Sequence, residues 1–517
     1  MVLTSFLIGY NFDMTTMEKP SQLSLFQIDP AVKQPFMHDV FSHERVCDDS
    51  ERLSLERRYR QLFTQDDRFN RKVVSFQANK DELVHSWLKY REGFSSVLVE
   101  TLLKDFNLKQ GDAVLDPFAG SATTLLVAKT LGINATGIEI LPNCHLAWEA
   151  KSKFAEYDIS ELKEIFGQLI NSEPGLATRP FPHITITETA FPPETENAVM
   201  WYTDWFDNLL ISDNAKVLCK LILTSILEDV SYTRKDGQYL RWDRRSEKLR
   251  ERNIIREAQG KKLIGGIDKG ELPGVKESLI RVFSDVISDI EFLKTRFSQN
   301  GTHQELIQGS TLEVLPTISE NTFSAVITSP PYANRYDYTR TYALELVYLG
   351  YGENITKLRQ TLLSCTVESR SKISQLKNYY NSIGQLDRYN RILSLATENP
   401  ALGEVNSALK TRWDRGDMNN KGVLPMINQY FSELAFVFAE IYRTTRPGAQ
   451  VAFVNDDVRY GGEIIPVDTM TTSLAESIGF EPVKIIVLAQ KKGNSSQQMD
   501  KFGRVEMRKC ITIWQRA

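Results

Sequence analysis

The sequence predicts an α/β protein: an open, mostly parallel sheet with an antiparallel strand near its C-terminus, carrying large and mainly helical insertions. Two stretches carry that prediction. Ala113–Asp116 reads as a short buried strand, Pro117–Thr124 as a glycine-containing turn, Leu125–Leu131 as a helix and Ala135–Ile140 as a second strand closing on Glu139. Apolar spacing that changes from strand to helix and back marks a βαβ unit with parallel strands. Far downstream, the apolar run Phe323–Ile327 leads into Ser329-Pro330-Pro331-Tyr332. Two prolines cannot continue a sheet ladder, so the chain leaves at the strand's carboxyl end, where open α/β sheets gather their ligands.

Residues 1–71 read as a polar N-terminal extension with a charged helix over Glu44–Arg60, and Met14 or Met17 as the natural start. Over 72–155 a strand is expected at Lys72–Gln77, then one or two amphipathic helices from Asp81 to Phe106 with Phe94-Ser95 at a helix start. His85 and Trp87 serve there as packing residues; the βαβ unit and a helix over Cys144–Phe154 follow. Residues 156–300 form an insertion. Pro180–Pro193 is its linker, Trp201, Trp205 and Phe206 the core of a small helical subdomain, and Glu277–Phe297 an amphipathic helix burying Val282, Val286, Ile290 and Leu293.

The sheet resumes over 301–345 with a strand at Glu305–Ser310 and the proline corner, and 346–425 is a second helical insertion. Residues 426–517 complete the sheet. They give a helix at Met426–Thr445, a turn at Arg446-Pro447-Gly448, a strand at Gln450–Val454 and a helix at Thr471–Ile478. Pro482–Leu488 and Cys510–Trp514 make a closing antiparallel pair, with Lys491–Lys501 as a loop near the site. Asp456 and Asp457 read as strand-end turn residues.

The chemistry sits in the two turns. A Pro-Pro corner presents backbone carbonyls that no helix or strand consumes. Ser329 Oγ and the Pro330 carbonyl offer two acceptors for an amino group on a planar ring, and Tyr332 offers a stacking face worth about 1–3 kcal/mol. A glycine turn followed by a strand-end acid is a nucleotide-type site, the glycine admitting a ligand to the backbone and Glu139 accepting from ribose hydroxyls.

Together these motifs resemble the S-adenosylmethionine-dependent DNA amino-methyltransferases of the N4-cytosine type, such as the modification enzymes of restriction systems. The resemblance implies a Rossmann-like class I methyltransferase sheet. Asp116, Pro117, Phe118, Gly120 and Thr123 would hold the methionine part of the cofactor, Glu139 its ribose, and Phe94 and Ser95 would pack over it; Ser329, Pro330, Pro331 and Tyr332 would be catalytic. Two positions depart from the family pattern. Ala122 replaces a glycine and is read as already helical, and the third strand ends in Gly309-Ser310 where many relatives have Gly-Asp, so no contact is assigned there.

Composition agrees with these expectations. The 517 residues exceed one core and carry a net charge of −4, but Arg234–Lys262 alone holds eleven Lys or Arg against five Asp or Glu, +6 against −10 elsewhere. Within that window Arg234, Lys235, Tyr239, Arg241 and Trp242 mix cations with aromatics around an Asp-Gly turn, and Arg335, Tyr336 and Arg340 do so after the proline corner. Both groups are candidate contacts to double-stranded DNA. A helix over Arg244–Arg256 would carry the pairs Glu247/Arg250 and Lys248/Glu251. The first insertion is favoured as the target-recognition region.

The five cysteines are odd in number and form no Cys-x-x-Cys pair, which argues against structural zinc and a disulfide framework and for a reducing cytoplasm, and two adjacent acids at Asp456 and Asp457 alone make no metal site, so no metal is expected. None follows a proline, as the nucleophile of ring-carbon cytosine methylases does. No run is long enough to span a membrane. A cognate restriction endonuclease is an expected partner. The rival readings are N6-adenine methylation, an RNA or protein methyltransferase, and a non-catalytic DNA-binding subunit with a relic cofactor fold.

Overall fold

The apolar runs become one eight-stranded sheet in the computed structural model, which describes residues 36–236, 240–296, 301–488 and 499–517. Its strands are β1 (Phe63–Thr64), β2 (Ala113–Asp116), β3 (Asn134–Glu139), β4 (Gln304–Gln308), β5 (Phe323–Thr328), β6 (Thr445–Asp456), β7 (Phe480–Val487) and β8 (Lys509–Arg516). They lie in the order β1-β7-β8-β6-β5-β2-β3-β4. Every neighbouring pair is parallel except the two made by β8. This is the Rossmann-like sheet expected, mostly parallel with one antiparallel strand.

The centre of the sheet is apolar on both faces because helices cover both. Val114, Leu115, Ala325, Val326 and Ile327 are fully buried, Val114 and Ala325 in a cluster with the helix Ser96–Asp105, Leu115 and Val326 in one with the helix Val423–Thr444. Register pairs Leu115 with Val326, so β2 and β5 end level. Connections from β2 run towards β3 and those from β5 towards β6, which opens a crevice between the two strand ends. Gly137 in β3 lets the glycine turn settle on the sheet, since a Cβ there would lie 2.8 Å from both Ala119 and Leu125.

Several elements differ from expectation for identifiable reasons. Lys72–Gln77 is turns and the start of a 3-10 helix (Phe76–Asp81) in place of a strand, with the Ser75 hydroxyl accepting from Gln77 N. Arg446-Pro447-Gly448 lies within β6, where the register against β5 shifts between Phe323 and Ala325 and absorbs the proline. In Val275–Lys294 the buried stripe is Leu279, Phe283, Val286, Ile287 and Ile290, while Val282 and Leu293 are half-buried. Lys248 pairs with Glu188 at 3.2 Å instead of with its helical neighbour. The start at Met14 or Met17 and most of the loop Lys491–Lys501 lie outside the described residues.

The N-terminal extension does more than its polar composition suggested. β1 extends the sheet by pairing Phe63 and Thr64 with Ile485 and Ile486. The helix Ser50–Arg58 buries Arg52 and Glu56. Glu56, Asp457 and Asp468 surround the buried guanidinium of Arg508, with Asp468 at 2.8 Å and Asp457 at 3.4 Å from Nε. Asp457 follows the strand end, as expected, but is buried among these charges, and burial holds its carboxyl well above the usual range. Replacing Arg508 by methionine strands these acids without a counter-charge and is expected to cost about 3–5 kcal/mol, read from urea unfolding at pH 7.

Candidate active site

The glycine turn is built around one carboxylate. Glu139 ends β3 and accepts from three backbone N–H groups: Gly120 on Oε2 at 2.8 Å, and Ile140 and Leu141 on Oε1 at 2.7 and 2.8 Å. Burial raises its pKa against those donors. Gly120 has φ +51°, and a Cβ there would sit 2.7 Å from Cε1 of Tyr90. Ala122, expected to be helical, is instead the left-handed residue before the helix Thr123–Leu131, with φ 63°. That conformation explains why glycine suits the position.

Asp116 does not line the cleft. It is fully buried, and its oxygens accept from Thr124 Oγ1 at 2.7 Å, Thr328 Oγ1 at 2.8 Å and Phe118 N at 3.2 Å. It ties the glycine turn to the end of β5, and burial pushes its pKa up to about 6. Pro117 likewise turns inward, its carbonyl accepting from Thr311. Ser95 is the buried cap of the helix Ser96–Asp105, donating to the Val73 carbonyl at 2.6 Å and accepting from Leu98 N. These three expected cofactor contacts are supports.

At the end of β5 the Ser329 and Tyr332 hydroxyls are 2.9 Å apart. Lys509 Nζ approaches the Tyr332 hydroxyl at 3.3 Å, lies 4.9 Å from its ring centroid and is 3.5 Å from Asp456. Burial raises the Tyr332 pKa, so the phenol stays protonated at neutral pH. Lys509 and Asp456 thus orient the tyrosine. No motif marks them in the sequence beyond the closing strand itself.

The two turns share one cleft. Phe94, Phe118, Gly120, Thr123 and Glu139 line it together with Ser329 and Pro331. Pro330 and Tyr332, which flank Pro331 in the chain, are not part of that lining. Sequence reasoning missed Gly309, Ser310, Tyr338 and the Thr361–Leu363 segment of the second insertion, all of which also line it. The strand-end position of Gly309-Ser310 is the signal that could have found two of them. The bare Gly120 backbone lets a nucleoside cofactor approach, and Glu139 Oε2 accepts only one backbone donor, leaving capacity for a ribose hydroxyl.

The basic window splits into anchors and exposed cations. Lys235 is buried, paired with Glu345 and at 3.5 Å with Glu228, so it is not available to phosphate. Trp242 is packed in the core. Arg234 and Arg241 face each other across the hairpin of Thr233–Lys235 and Leu240–Trp242, both exposed, with Arg241 3.2 Å from Asp236; Tyr239 lies outside the described residues. Of the later group, Tyr336 donates to Glu92, Arg340 pairs with Asp337 and Glu368, and Arg335 is half-buried.

Fold and cleft together define a class I methyltransferase. The family model described as DNA methylase matches residues 45–149. The chain is 54% identical to the Type II methyltransferase M.BsoBI of Geobacillus stearothermophilus over 478 residues, 92% of this chain and 94% of the relative. It is 37% identical to the Type II methyltransferase M.AvaI of Anabaena variabilis over 474 residues, 90% and 92% of the two chains. The chain therefore belongs to the S-adenosylmethionine-dependent DNA methyltransferases of the N6/N4 family found in restriction–modification systems. No helix among the described residues is long and apolar enough to cross a membrane, and no described cluster of His, Cys, Asp or Glu is placed to hold a metal.

Proposed function

We propose that the protein methylates the exocyclic N4 amine of cytosine at a specific site in duplex DNA, as the modification enzyme of a restriction–modification system working in the cytoplasm on the nucleoid. The observation that carries this reading is the shared cleft: the cofactor turn and the Ser-Pro-Pro corner line the same space. Serine at position 329, where adenine enzymes of the family commonly have Asp or Asn, favours cytosine.

When bound, S-adenosylmethionine supplies an electrophilic methyl group on a cationic sulfur. The target amine is inaccessible inside a duplex, so the base is extruded at a cost of a few kcal/mol. Its nitrogen lone pair is delocalised into the ring. Hydrogen bonds from the two N–H groups to Ser329 Oγ and the Pro330 carbonyl hold the amine so that the lone pair leaves the ring plane and meets the methyl in line. The N–H bond that breaks after transfer is the one hydrogen-bonded to Ser329 Oγ, and its proton passes through that hydroxyl to solvent water. Tyr332 holds the ring, and much of the rate comes from this positioning.

Duplex contact is assigned to both insertions. Arg234 and Arg241 are exposed like charges directly opposite on a ribbon, Arg241 partly offset by Asp236 at 3.2 Å, and the pair could take a phosphate. A groove is lined by Trp242 and Arg252 of the first insertion, Arg340, and Ile355 and Arg359 of the second. A restriction endonuclease cutting the same site is the expected partner. Nucleoside analysis of DNA treated with the protein and S-adenosylmethionine tests the base assignment. N4-methylcytosine is expected, and N6-methyladenine in its place overturns it.

A further inference from the structure

Resting on the methyltransferase reading, we infer that Glu92 is the counter-charge for the cationic methionyl end of the cofactor. The cleft wall contains two carboxylates, Glu92 and Glu139, and among the described residues lining it there is no Lys or Arg. A water-poor pocket with that balance selects a cation. Glu139 is assigned to the ribose, with three backbone donors already on its oxygens and its remaining capacity facing that end. Asp116 is spent on Thr124, Thr328 and Phe118 outside the wall. Glu92 remains, beside Gly93 and Phe94 on the wall formed with Tyr90, whose ring lies against Gly120.

The surroundings hold the Glu92 carboxylate in place without neutralising it. The Tyr336 hydroxyl donates to Oε1 and the Tyr342 hydroxyl to Oε2. Tyr342 is fixed by stacking on Tyr90 at 5.2 Å and by accepting from Arg91 N at 3.1 Å. The nearby cations are otherwise engaged: Arg91 with Glu228 at 2.6 Å, and Lys235 with Glu345. Tyr90 and Tyr338 face the same space and stay neutral, their hydroxyl pKa values raised by burial. Burial pushes the Glu92 pKa up to about 7. The free protein is then partly protonated at Glu92 near neutrality, and a bound cation draws that proton off. Affinity for the cofactor must therefore rise with pH up to about 7.

The test is equilibrium binding of S-adenosylmethionine to the full chain between pH 5.5 and 8.5. For a group titrating near 7, the ionised fraction grows roughly fifteenfold from pH 5.5 to 7, and the wild-type Kd should tighten accordingly. Glu92→Gln should bind at least tenfold more weakly at pH 7 and lose that part of the slope, whereas Glu92→Asp should keep it. Glu139 and Asp116 titrate alike in all three proteins, so the difference between slopes is the readout. Tyr342→Phe removes one donor to the carboxylate and should move the midpoint to higher pH without weakening binding above it. An unchanged Kd and slope in Glu92→Gln, or an unchanged midpoint in Tyr342→Phe, overturns the inference. Wild-type protein that fails to bind S-adenosylmethionine at any pH would instead sink the methyltransferase reading itself. S-adenosylhomocysteine keeps the ammonium but lacks the sulfonium charge. An equal loss of its affinity in Glu92→Gln assigns the carboxylate to the ammonium, and a spared affinity assigns it to the sulfonium.

Discussion

Alanine at Ser329 is expected to lower methyl transfer roughly 10²–10³-fold, the usual cost of removing one polar partner from a reacting centre, while S-adenosylmethionine affinity stays within about threefold. The Ser329 hydroxyl is one of two acceptors that hold the amine, and its only described side-chain partner is the Tyr332 hydroxyl at 2.9 Å. Its loss leaves one N–H group unpaired in a water-poor site. Alanine at Tyr332 should be comparably damaging, because it removes both the stacking face, worth about 1–3 kcal/mol, and the group that orients Ser329. Lys509→Met, which frees the tyrosine without truncating it, should produce a smaller loss of the same kind. Single-turnover transfer of labelled methyl groups, alongside cofactor binding, checks all three. Normal turnover in both Ser329→Ala and Tyr332→Ala would end the catalytic assignment.

Legibility followed the range of the interaction that fixes each residue. The Gly120 turn, the Glu139 strand end and the Ser329 corner are local devices: a tight bend, a strand-terminal acid and a proline stop announce themselves in a few residues. Asp116 was readable as part of a motif but not as a tie between β2 and β5, because its partner Thr328 lies 212 positions away. Lys235 and Trp242 looked like surface contacts because a short hairpin alternates its faces. Only the fold shows that the face with Lys235 turns inward to Glu345 while Arg234 and Arg241 turn outward. Arg52, Glu56 and Arg508 were hidden for the same reason, since a charged run says nothing about which of its members will be buried with partners hundreds of residues distant. Ala122 shows the converse: the departure was visible, but its left-handed conformation was not.

Gly120→Ala is expected to weaken cofactor binding at least 100-fold without unfolding the protein, and the reason lies in one neighbour. Ala122, two residues on, holds φ 63° with a Cβ, so a left-handed backbone at this turn is tolerable for about 1–2 kcal/mol. Conformation alone therefore does not exclude alanine at 120. The Tyr90 ring does: the added Cβ would lie 2.7 Å from Cε1 and 3.2 Å from Cδ1. That ring is stacked on Tyr342 at 5.2 Å, and Tyr342 is held by Glu92 and Arg91, so it cannot swing away cheaply. The turn must move instead, and with it the Gly120 N–H that fixes Glu139 at 2.8 Å. Both ends of the cofactor site then lose their geometry together. If this account holds, trimming Tyr90 to leucine in the Gly120→Ala background should recover part of the lost affinity, although Tyr90→Leu alone weakens binding. Titration of the four proteins with S-adenosylmethionine gives the coupling energy directly. Strictly additive losses would mean that the glycine serves the ligand's approach alone and that the ring plays no part.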